Sequence, residues 1–170
     1  YDSFEEIIIK GAALGFADAP LSEKEPYIIR YAGMIDNWAE CDCFCSCIKV
    51  KKSEEDALRL LSESLMKQKE EFVSRVGIVL MFSKFSDEPT VKKALDIYDT
   101  LPCGEYYRDM AVAWGISVYC VKYPELITTY LEHSPLSITV KLMAAQKIRD
   151  SRRISDEVKR RVTDTVNAQR

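Results

Sequence analysis

Histidine is almost absent from this chain. The single imidazole, His133, stands alone, and no Cys-x-x-Cys pair accompanies it. Neither a zinc finger nor a zinc ribbon can be built on those ligands. No apolar run exceeds about seven residues, against the ~20 that a membrane-spanning helix needs. No stretch alternates apolar and polar residues convincingly enough to read as a strand. The opening Tyr1-Asp2-Ser3-Phe4-Glu5-Glu6 is acidic and helical in pattern, without the basic and apolar regions of a secretory signal. With no initiating Met, it reads as the start of a processed or truncated chain.

What is present suits a folded domain. The chain has 170 residues, 47% hydrophobic and 30% charged, enough for a sizeable core. Its net charge of −3 does not advertise a nucleic-acid partner, but the distribution is uneven. Residues 141–170 carry nine Lys or Arg against four Asp or Glu, a local +5 that leaves −8 on the remainder. A basic tail on an acidic body is compatible with a phosphate-binding face, and equally with a solvated terminal helix.

Four of the six cysteines alternate, at 41, 43, 45 and 47. Alternate residues on a helix lie about 200° apart, so neighbours in this series cannot easily share a bridge or a metal. Only the pairs four apart, Cys41/Cys45 and Cys43/Cys47, could chelate. No metal and no cofactor is expected. The thiols read as small buried side chains in a reducing cytoplasm.

Local signals divide the chain into about ten helices. Ser3 with Glu6 makes a capping box and opens a helix to about Ala17. Ser22 with Glu25 makes a second, opening a helix to about Met34 with Pro26 in its first turn. Asn37 caps a third helix, which runs without Gly or Pro to Val50. Further helices are predicted over 54–68, from Lys69 to near Ser86, from Asp87 with Pro89 near its start to about Thr100, and over 105–122. Pro124 starts a short helix to near His133; Ser137 and Ser155 cap two more, ending near Asp150 and Asn167. Helix pairs recur at roughly 30 to 40 residues, which suits stacked antiparallel pairs, a HEAT- or armadillo-like α-solenoid. A compact irregular bundle is the alternative.

Three helices carry an oddity each. On the third, Trp38, Cys41, Asp42 and Cys45 share one face, setting a carboxylate among thiols and an indole. Such an Asp is costly unless it is paired, solvated in a cleft, or used. Arg75 sits within the apolar run 72–80, and Trp114 within 110–116. Their spacing of 37 and 39 residues is about one repeat each, so Trp38, Asp42, Arg75 and Trp114 are expected to line one concave surface. Arg75 is also a candidate partner for Asp42 itself. Arg149, Arg152 and Arg153, clustered at a helix end, are the remaining phosphate-contact candidates.

Asn37-Trp38-x-x-x-Asp42, Phe72-Val73-x-Arg75-Val76 and Met110-Ala111-Val112-Ala113-Trp114 together resemble the AlkD-like DNA glycosylases, the HEAT-like DNA alkylation repair enzymes. Pro124-Glu125 and 145–149 add to the likeness, which extends over essentially the whole chain. The resemblance implies a single HEAT-like domain over 1–170, lacking one or two N-terminal helix pairs that family members usually have. It implies a monomer that binds duplex DNA containing alkylated bases, no membrane, and hydrolysis of the N-glycosidic bond of N3- or N7-alkylated purines without metal or cofactor. Asp42 would be the catalytic carboxylate. Trp38 and Trp114 would pack against the lesion-bearing backbone, and Arg75 would contact phosphate. The alternative is a HEAT-like scaffold that binds DNA or protein and does no chemistry.

Overall fold

The computed structural model describes residues 3–170. Among them are ten α-helices, one short 3-10 turn over Lys52–Glu54, and no strand. The helices are α1 (Phe4–Phe16), α2 (Leu21–Ala32), α3 (Trp38–Cys47), α4 (Glu55–Met66), α5 (Glu71–Lys84), α6 (Glu88–Tyr98), α7 (Tyr106–Cys120), α8 (Pro124–His133), α9 (Ile138–Asp150) and α10 (Asp156–Asn167). None is long and apolar enough to cross a membrane. The chain resolves into two compact units that meet between Lys84 and Phe85.

In the first unit α1 packs on α3 and α3 on α5, while α2 packs on α4; α4 and α5 form the most intimate pair. Odd and even helices thus form two layers, the stacked helix-pair arrangement expected from the spacing of the breaks. Ile28, Phe44, Leu58, Leu65, Val76, Ile78 and Leu80 are sealed in its core. In the second unit α7 packs on α9 and α8 on α10, again in two layers, around Val91, Ile116, Ile127, Leu131, Ala144, Ile148 and Val162.

Local capping chemistry places most helix starts. Ser3 and Glu6 bond reciprocally across the first turn of α1, at 2.8 and 3.3 Å. The side chains of Asn37, Asp87, Ser137 and Ser155 each accept the backbone N–H three residues on. Two boundaries differ from the sequence reading. Ser22 does not cap α2: the helix begins at Leu21 behind Pro20, with no side-chain cap from its own segment. The Leu21 N–H instead donates to Glu54 Oε1 at 2.7 Å, and the Leu21 side chain is buried. Pro26 therefore falls in the second turn, inside the helix. At its other end, α3 stops at Cys47, short of Val50, because the chain is pulled across to its neighbours. Lys49 donates its N–H to the Gly15 carbonyl at 3.2 Å, and its carbonyl accepts from the buried Lys24 Nζ at 2.6 Å. A Cβ on Gly15 would lie 2.7 Å from the Cys47 backbone, so only glycine lets α1 and α3 approach this closely.

Glu54 closes two starts at once, since its other oxygen accepts the Lys51 N–H at 3.0 Å. These bonds, the one from Leu21 first, hold its carboxyl below the ordinary glutamate value. A lowered folded-state pKa gives stability that is complete above the unfolded value and is lost as pH falls through the folded one. Acid titration of thermal unfolding is therefore expected to show the wild type losing melting temperature below the ordinary glutamate range more steeply than Glu54→Gln. At pH 7 the variant should melt a few degrees lower. Parallel acid limbs for the two proteins would remove Glu54 from this role.

Candidate functional site

Residues of α3 and α5 make the most unusual group in the first unit. The α3 turns set Cys41, Phe44 and Cys45 inward, each at most 1% exposed, and leave Asp42 at the margin of the buried face. Trp38, one turn before Asp42, stands 55% exposed. An indole left in solvent beside a carboxylate is unusual for a residue that buries so much apolar area when it packs.

Arg75 enters from α5. Its neighbours Val73, Ser74, Val76 and Gly77 are all buried, so the helix offers no solvated face on which the guanidinium could lie. Arg75 Nη2 donates to Asp42 Oδ1 at 2.8 Å. The Arg75 side chain is only 4% exposed, whereas that of Asp42 is 23% exposed. The ion pair thus has a sealed cationic end and a carboxylate end open to solvent. A buried guanidinium needs such a partner, because an uncompensated interior charge costs several kcal/mol. Just below, burial first and then the Cys41 thiol push the Cys45 thiol well above its ordinary value. Cys45 Sγ lies 3.7 Å from the Val76 carbonyl. Cys41 and Cys45 are thus packing groups rather than nucleophiles.

The structure brings together Trp38, Asp42 and Arg75 of the candidates named from sequence. Trp114 belongs to the second unit, half-buried on α7 between the buried Ala113 and Gly115. Arg149 lies exposed near the end of α9, bonded to Gln146 and, at 3.4 Å, to Thr163 Oγ1. Arg152 and Arg153 are exposed in the turn that follows. Arg149 also lines an open groove of about 470 Å³ with Asp156, Lys159, Arg160, Thr163 and Asp164 of α10. Lys159 and Arg160 were not singled out in the sequence. The spacing Asp156, Lys159/Arg160, Thr163 puts them on one helical face and could have found them. None of the six cysteines is in a disulfide. Among the described residues, no group of three or more His, Cys, Asp or Glu is arranged to hold a metal.

Comparison with protein-family models, with curated proteins and with solved structures finds no match.

Proposed function

We propose that this chain is a DNA glycosylase that hydrolyses the N-glycosidic bond of N3- or N7-alkylated purines in duplex DNA. One observation carries the reading: a partly open carboxylate, fixed by a buried guanidinium, lies one turn from a solvent-exposed indole. A cationic alkylpurine is already a good leaving group. What it needs is stabilisation of the positive charge developing on the deoxyribose, and a placed water. A carboxylate held in one position provides both by electrostatics and orientation. In this reading Arg75 is a positioning residue that aims Asp42. Trp38 offers an apolar face to the sugar; in the second unit, taken by itself, Arg149, Arg152 and Arg153 are the phosphate-contact candidates and Trp114 a candidate strand contact. The resemblance in sequence adds the lesion class and a cytoplasmic, monomeric, metal-independent enzyme.

The same ion pair supports a second reading. Because Arg75 is sealed, Asp42 also serves simply as the counter-charge of a core arginine, in a helix-pair scaffold that binds DNA or protein without chemistry. Incubation of the protein with duplex DNA containing N7-methylguanine separates the two. The enzyme reading expects release of the free base under single-turnover conditions, and duplex binding that weakens steeply with salt. Salt-dependent binding without release would leave the scaffold, and neither would discard a DNA partner.

A further inference from the structure

The sequence leaves two cysteine pairs on α3 able to chelate, and the structure separates them. Cys41 and Cys45 are each 0% exposed. Cys43 is exposed and Cys47 half-buried, one turn apart on another side of the helix. We infer that Cys43 and Cys47 form a surface dithiol clip for a soft monovalent cation, of the chemical class of Cu(I). This does not depend on the glycosylase reading.

Residues four apart on a helix have Cβ atoms about 5–6 Å apart, so two sulfurs can converge on one ion between them. Thiolates select soft ions. Zinc would require four ligands, and no three-ligand group exists among the described residues. Two sulfurs therefore satisfy only an ion content with two. The last turn of α3 also presents the negative end of the helix, which favours a cation.

Two neighbours suit the charge. Glu40, Cys43 and Cys47 lie at i, i+3 and i+7 and form one stripe. Glu40 is 2% exposed, and its Oε2 has no hydrogen-bond partner. A cation held between the two sulfurs would lie about one helical turn from that carboxyl. Glu40 contributes field rather than a bond. On the outer side, Lys84 Nζ lies 3.5 Å from the Ser46 carbonyl, in the same turn as Cys47. A monovalent ion with two thiolates carries a net charge of −1, which the Lys84 ammonium offsets. On binding, both thiol protons leave to solvent and two sulfur–metal bonds form. No oxidation state changes.

The test is anaerobic titration of the reduced full chain with Cu(I), supplied as its acetonitrile complex and competed against bicinchoninate. One equivalent should bind tightly. Cys43→Ser and Cys47→Ser should each weaken binding by about 100-fold or more, because loss of either thiol removes the intramolecular second step. Cys103→Ser, which removes the other exposed thiol, should change nothing. Cys43 is exposed and Cys47 half-buried, and unchanged melting temperatures will show that the variants fold. Failure to compete with the chelator overturns the inference. So does retention of full affinity by either single variant, or its loss in Cys103→Ser.

Discussion

Gly77→Ala is expected to destabilise the first unit by about 3 kcal/mol, near the upper end for an added core methyl. For a chain of this size that is a fall in melting temperature of roughly 10 °C. Intrinsic propensity argues the opposite way, since alanine is favoured over glycine inside a helix by about 1 kcal/mol. Geometry decides the sign. A Cβ at Gly77 would lie 2.3 Å from the Met66 backbone nitrogen, 2.7 Å from the Ser62 carbonyl oxygen and 2.8 Å from the Leu65 carbonyl carbon. All three are backbone atoms of α4, which no side-chain rotation can clear. Either α5 moves off α4, or the α4 backbone distorts. Arg75 stands two residues before Gly77, so any displacement of α5 also moves the guanidinium that holds Asp42. The variant should therefore lose whatever activity Asp42 supports before it loses its helix content. Thermal unfolding followed by circular dichroism measures the first effect. An unchanged or raised melting temperature would mean that α4 and α5 do not cross this closely.

That crossing shows which parts of the structure could be read from the sequence. Helix starts fixed by their own residues were legible, because Ser3, Asn37, Asp87, Ser137 and Ser155 each bond a backbone N–H three positions away. The start of α2 was not, because its donor is satisfied by Glu54, thirty-three residues distant. A plausible capping box at Ser22 and Glu25 lost to that longer-range bond and to burial of Leu21. The end of α3 was illegible for a similar reason: Lys24 and Gly15 hold Lys49 from other helices. In the candidate site, charged residues set in apolar runs were the informative signal, and pairing of Asp42 with Arg75 was one of the arrangements they allowed. Exposure was the part that spacing could not supply. Trp38, Cys41, Asp42 and Cys45 share a helical face, yet the two thiols are sealed while the indole stands in solvent. The position of the α3 face against α1 and α5 divides them, and its approach to α1 depends on Gly15 rather than on α3 itself.

Asp42→Asn is expected to abolish release of N7-methylguanine, lowering the single-turnover rate by at least about 100-fold, the scale on which removal of one preorganised charge acts. The substitution is nearly isosteric. An Asn Oδ1 can still accept from Arg75 Nη2, so the geometry of the pair survives. What disappears is the negative charge that the glycosylase reading sets against the sugar. The cost to folding comes from Arg75, which is 4% exposed and loses its formal counter-charge. Leaving a buried guanidinium without its counter-charge, though with a neutral hydrogen bond kept, should cost about 3 kcal/mol, which lowers the melting temperature. Two measurements separate chemistry from structure. If the glycosylase reading holds, duplex binding should be unchanged or slightly tighter in the Asn variant, which removes one negative charge from the proposed DNA face. Arg75→Met, which removes the buried charge and keeps its apolar stem, should leave Asp42 present but unanchored. It should therefore retain part of the activity, more than Asp42→Asn and less than wild type. If Asp42→Asn melts lower yet releases base at the wild-type rate per folded molecule, Asp42 is only the counter-ion of Arg75. The scaffold reading then replaces the enzyme.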